Sequence, residues 1–159
     1  MSSRRVTSSG ISPPALADAT EAASAGVAAT SGARTVAILA DDLIWATRLA
    51  DAIRAAGGTP RIVRRIADLE TLLGGAAGAA GAPGGAGASD VIVDLTARAY
   101  DGVAAVRLAS GTGARVVAVG QHDDTEQRRA ATEAGASRVF TYRALFEDAP
   151  RLLGRWLAG

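Results

Sequence analysis

The chain has 159 residues, within the usual span of one domain, and 48% of them are apolar, ample for a packed core. Seventeen basic residues against sixteen acidic ones give a formal net charge of +1, without the basic excess that neutralising phosphates demands, so nucleic acid is not expected as a partner. The absence of cysteine excludes disulfides and thiolate metal sites, and no apolar run approaches the roughly 20 residues of a membrane span, so a soluble, cytoplasmic protein without a membrane partner is expected.

Residues 1–33 are rich in Ser, Ala, Gly and Thr and hold no sustained period of 2 or 3.6, which reads as a disordered tail. Arg4 and Arg5 lack the continuous apolar stretch that a targeting peptide would place after them. TVAILA (35–40) reads as a buried strand and runs into a helix over 43–56, whose Ala46, Leu49, Ala50 and Ile53 share a face. PRIVR (60–64) is a weaker strand with its proline at the tolerated first position, and a short helix follows with Ile66, Leu69, Leu72 and Leu73. Residues 74–89, GGAAGAAGAPGGAGAS, carry no side chain able to bury much area and read as a flexible insertion. They precede a strand and contain no Lys, which excludes a phosphate loop.

DVIVDL (90–95) is the clearest central strand, followed by a helix carrying Val103, Val106 and Leu108. RVVAV (115–119) precedes a helix over 125–134 that Gly135 ends in the left-handed conformation. RVFTY (138–142) is the fifth strand, and the last helix, 148–158, opens with Asp148 as cap and Pro150 in its first turn. Alternating strands and helices predict an α/β domain, a doubly wound, five-stranded parallel sheet. In the flavodoxin-like order 2-1-3-4-5 of such sheets the first and third strands are neighbours. Ligands of such sheets bind beyond the carboxyl ends of the strands, where strand order reverses.

Three strand ends are polar: Asp41-Asp42 after the first, Asp94 ending the third, and Gly120-Gln121-His122-Asp123-Asp124 after the fourth. With the first and third strands adjacent, Asp41, Asp42 and Asp94 converge, and their mutual repulsion calls for a hard cation, Mg2+ with oxygen ligands. A carboxylate beside such a cation is poised to accept a phosphoryl group. A helix N-terminus alone accounts for Asp42, but less easily for an aspartate ending an apolar central strand. His122 is the only histidine; it is a candidate ligand or proton carrier, with a solvated loop as the plain alternative. Trp45 is placed to cover the pocket, to join a partner surface or, as the plain alternative, to pack its helix.

The segments ILADDLIWATRLADAIRAAG, DVIVDLTARAYDGVAAVR and VVAVGQHDDTEQRRAATEAGASRVF together resemble the receiver domains of two-component response regulators, over residues 35–158. The resemblance implies a flavodoxin-like, receiver-like fold. It puts Asp94 in the phosphoacceptor place and Asp101-Gly102 at the family's spacing. Asp42 and Asp94 would bind Mg2+ directly, Asp41 through water, and Thr96 through its backbone carbonyl. The departures are Gly120, where the family carries Ser or Thr; Tyr142, where it carries Lys; and Val139 at the aromatic switch position, with Phe140 beside it. A charge-assisted hydrogen bond of the kind Lys makes contributes roughly 1.5–3 kcal/mol. A one-residue shift would bring Arg143 into the place of the Lys.

The first expectation is a stand-alone divergent receiver in a bacterial phosphorelay. Asp94 accepts phosphate from a histidine kinase, and output passes to another signalling protein because the chain ends after its fifth helix. A homodimer is a further candidate. The alternative is a phosphorylation-independent pseudo-receiver acting as a protein-interaction module. No enzymatic activity is expected. A dinucleotide-binding enzyme fails because ADDLIW stands where the glycine fingerprint would, and an aspartyl hydrolase lacks a general acid at a recognisable spacing from Asp94.

Overall fold

The computed structural model describes residues 33–78 and 87–159, with α2 described beyond Gly74 by its backbone alone. The short β-branched runs form five parallel strands: β1 (Thr35–Leu39), β2 (Thr59–Val63), β3 (Asp90–Asp94), β4 (Arg115–Gly120) and β5 (Arg138–Thr141). They are joined by α1 (Leu43–Ala55), α2 (Ile66–Gly78), α3 (Gly102–Gly111) and α4 (Thr125–Glu133), and α5 (Tyr142–Ala158) closes the fold. The sheet order is β2-β1-β3-β4-β5, the doubly wound arrangement expected.

Alternation along the strands divides the core in two. Ala37, Leu39, Val91, Val93, Val116 and Ala118 face α2, α3 and α4, where they meet Leu69, Leu73, Val106 and Ala131. Val36, Ile38, Ile92, Val117 and Val119 face α1 and α5, where they meet Leu49, Ile53, Leu145, Leu153 and Trp156. Both faces of β1, β3 and β4 are covered, which is why these strands are continuously apolar in sequence rather than alternating. Each buried Leu, Ile or Val contributes about 1.5–3 kcal/mol relative to exposure.

Local chemistry sets the ends of the elements. Asp42, Asp101 and Asp124 cap α1, α3 and α4, each accepting the amide N–H three residues on at 2.9–3.0 Å. Gly135 has φ +110°, the left-handed position expected after α4. Four boundaries differ from the sequence reading. Pro60 is the second residue of β2, tolerated because β2 is an edge strand. α2 continues through Gly78, because one more turn of a nucleated helix costs little where alanines supply propensity. β5 ends at Thr141, whose hydroxyl accepts the Ala144 N–H at 3.1 Å and so turns Tyr142 into the first residue of α5. A helical segment therefore precedes Asp148, where α5 kinks at φ −153°, ψ 45°. The expected start at Asp148 and Pro150 is the second half of that kinked helix.

The tail expected over 1–33 lies, but for Ala33, outside the described residues, as does 79–86 of the expected insertion. Among the described residues no helix is long and apolar enough to cross a membrane.

Candidate functional site

The loops after β1, β3 and β4 meet at the carboxyl edge of the sheet, where Asp41, Asp42 and Asp94 line one cavity of about 480 Å3. The predicted convergence is thus observed at the level of a shared cavity. Trp45, Tyr142 and Phe146 add aromatic wall to it, and Arg48 and Arg98 add positive charge.

Asp41 fastens two loops together. Its Oδ2 accepts the Arg98 N–H at 2.9 Å, and its carbonyl oxygen accepts from the Arg64 guanidinium at 2.9 Å. Tyr100 makes a parallel tie, its hydroxyl donating to the Leu39 carbonyl at 2.7 Å. Asp42 is exposed and spends one carboxylate oxygen as the α1 cap on Trp45 N–H.

Asp94 is 2% exposed at the end of β3, and three donors converge on its Oδ1. The Thr96 N–H donates at 2.8 Å, closing an Asx turn that ends the strand, and the Thr96 hydroxyl donates at 2.9 Å. The third donor is the Tyr142 hydroxyl, itself 2.7 Å from the Thr96 hydroxyl. Burial, then the hydrogen bond to Asp94, push the Tyr142 phenol well above its ordinary range, against a smaller lowering by Thr96. Burial and the negative field of Asp94 and Asp41 do the same to Tyr100. Trp45 packs edge-on against the Tyr142 ring at 4.6 Å, so it covers the pocket as well as packing its helix.

Each of the three carboxylates has one oxygen bonded to a protein N–H, and among the described residues no group of three His, Asp or Glu side chains is drawn together as a ligand cluster. Thr96 meets Asp94 through its N–H and hydroxyl, which leaves its carbonyl uninvolved in that contact.

The remaining candidates separate clearly. Gly120 ends β4 beside Leu95 and offers no hydroxyl. Tyr142 does occupy the position facing Asp94, whereas Arg143 points outward, its side chain 85% exposed and paired with Glu147 at 2.9 Å. The one-residue shift that would bring Arg143 to the site is therefore excluded, because the Thr141 cap fixes the helical phase. All 17 basic residues of the chain are arginine, so no lysine elsewhere can substitute. Val139 packs among the residues facing α2, α3 and α4, and Phe140 on the opposite side, so the neighbouring aromatic cannot serve for it. His122 is 80% exposed, near only Asp123 at 3.9 Å, and is absent from the cavity lining, as the solvated-loop alternative predicts.

Two contributors escaped the sequence reading. Tyr100 is one of just two tyrosines, with nothing in its spacing to mark it. Gln127 donates its side-chain amide to the Leu95 carbonyl at 3.0 Å. The Asp124-x-x-Gln127 spacing was the available signal, although a capping box would send that side chain back to the Asp124 amide.

No protein-family model and no curated protein matches the chain. Solved structures do resemble it. The beryllofluoride-activated DrrB receiver domain of Thermotoga maritima superposes with a TM-score of 0.63 at 18% identity, covering 80% of this chain and 100% of that one. The signal receiver domain of a DNA-binding response regulator from Colwellia psychrerythraea gives 0.63 at 15% identity, covering 79% and 99%. The Mn2+-bound form of the response regulator Rcp1 gives 0.61 at 12% identity, covering 78% and 94%. The chain has the fold of a response-regulator receiver domain, carried by a divergent sequence.

Proposed function

We propose that the chain is a signal-transduction module of the receiver fold that works through protein contacts without phosphorylation of Asp94, a pseudo-receiver. The observation that carries this reading is the Tyr142 hydroxyl hydrogen-bonded to Asp94 Oδ1, in the place a lysine would need. Phosphorylating Asp94 would exchange its single carboxylate charge for about −1.5 to −2, a net gain of about −0.5 to −1 in a cavity still lined by Asp41 and Asp42. A neutral phenol cannot neutralise that charge. The contact surface is the apolar rim of the same cavity and its neighbourhood: Leu43, Ile44 and Phe146 are 62%, 75% and 68% exposed. The partner class is another signalling protein.

One observation favours the second reading, in which Asp94 is a phosphoacceptor served by a histidine kinase and Mg2+. Arg48 and Arg98 line the cavity and could offset part of an added negative charge. Arg48, however, is held over the Phe146 ring at 4.9 Å.

Titration of tryptophan fluorescence with Mg2+ and then beryllofluoride separates the two readings, since Trp45 lies against Tyr142. The pseudo-receiver gives no saturable response that differs between wild type and Asp94→Asn. A saturable response lost in Asp94→Asn would overturn it in favour of the phosphoacceptor.

A further inference from the structure

Two polar side chains from different elements end on consecutive residues of the chain, Asp94 and Leu95. Tyr142, at the start of α5, binds the Asp94 carboxylate. Gln127, in the first turn of α4, binds the Leu95 carbonyl at 3.0 Å. The backbone below both is rigid, because Asp94 lies opposite Val119 in the β3–β4 ladder and the Leu95 N–H donates to the Val119 carbonyl at 2.8 Å. Gly120 leaves the room for the Gln127 arm. A Cβ there would lie 3.3 Å from Leu95 Cδ1 and 3.7 Å from Gln127 Oε1, and any larger side chain would compete for the same space. The backbone of Gln127 is held separately, by the Asp124 carboxylate at 2.9 Å, so its side chain is free to span the gap.

We propose that Gln127 and Tyr142 act together as a two-point lock that holds α4 and the start of α5 in one position against the Asp94-Leu95 segment, with no modification or metal required. This deepens the pseudo-receiver reading and rests on it. A lock that is always engaged makes the surfaces of α4 and α5 constitutive, so partner binding follows protein concentration rather than a covalent signal.

Amide hydrogen exchange on the full chain tests the lock in wild type, Gln127→Leu, Tyr142→Phe and the double variant. Leucine is as good a helix former as glutamine, so loosening of α4 in Gln127→Leu cannot come from helix propensity. Each single variant is expected to speed exchange of the Arg129 and Ala130 amides and of the Thr96 amide by roughly threefold to tenfold, the equivalent of one net hydrogen bond. The Ile38 and Val117 amides of the central strands stay at the wild-type rate. The double variant departs from the product of the single effects, because the two arms share one anchoring segment. Unchanged exchange at α4 in Gln127→Leu, acceleration spread equally to Ile38 and Val117, or simple multiplicativity would each overturn the lock. A wild-type beryllofluoride response would overturn the pseudo-receiver reading instead, and it is measured independently of exchange.

Discussion

Tyr142 and Tyr100 are the only tyrosines, so a phenol titration reports on the site alone. Both are held above their ordinary value of 10.0 by burial first, then by the carboxylates around them. A group whose folded pKa is raised contributes stability that is complete below its unfolded pKa and is lost as pH rises through the folded one. The native protein is therefore expected to show almost no phenolate absorbance at a pH near 10, where the urea-unfolded chain is about half ionised. Unfolding free energy falls as pH rises beyond that point, and Tyr100→Phe with Tyr142→Phe flattens the decline. Phenolate appearing in the native protein as early as in the unfolded chain would contradict the observed burial. Residue identity made Gly120 and Tyr142 legible as departures from the receiver pattern. It did not show that Tyr142 would bond Asp94, because whether a phenol faces a site depends on the helical phase set by the Thr141 cap.

At the scale of elements, turns and close approaches carry the sharpest expectations. Gly135 sits at φ +110°, and a Cβ there would lie 2.7 Å from Ser110 Cβ and crowd the hydroxyl that bonds the Ala134 carbonyl at 2.9 Å. Gly135→Ala is expected to cost about 1–3 kcal/mol in a denaturant unfolding curve, since neither the backbone angle nor the space suits alanine. Gly102 opens α3 where a Cβ would stand 2.7 Å from Leu95 Cα, a backbone atom that cannot move aside. This gives the Asp101-Gly102 spacing its physical reason: the aspartate caps α3 at 3.0 Å and the glycine lets the helix approach the segment beside Asp94. Gly102→Ala is expected to shift the Thr96 amide resonance as well as lower stability. An unperturbed Thr96 would show that α3 does not set the shape of that segment. Strands and helices were readable from periodicity. The β5–α5 boundary was not, because Thr141 and Tyr142 suit either a strand or a cap.

Across the whole molecule, the sheet edge opposite the site is tied by charge. Asp90 is fully buried and accepts from Arg115 Nε at 2.6 Å, with Arg34 at 3.6 Å. Arg115 reaches on to the Trp156 carbonyl at 3.0 Å and lies over its ring at 5.4 Å, joining β3, β4 and α5. Arg115→Met strands most of the charge on Asp90 and is expected to cost about 3 kcal/mol by urea unfolding, with Asp90→Asn added to it recovering part of the loss. No recovery would mean that packing on Trp156, rather than the ion pair, sets the cost. By itself the sequence determined the five alternating elements, their order, the two-sided core and the acidic edge, because periodicity and strand-end composition are local properties that survive without coordinates. Only the tertiary structure decided how that edge is wired. Oxygen atoms on Asp41, Asp42 and Asp94 are taken by the amides of Arg98, Trp45 and Thr96, and by the hydroxyl of Tyr142, which lies 48 residues from Asp94 in the chain. Which donor meets which carboxylate is fixed by how the loops and helices pack, a long-range outcome that no local pattern encodes.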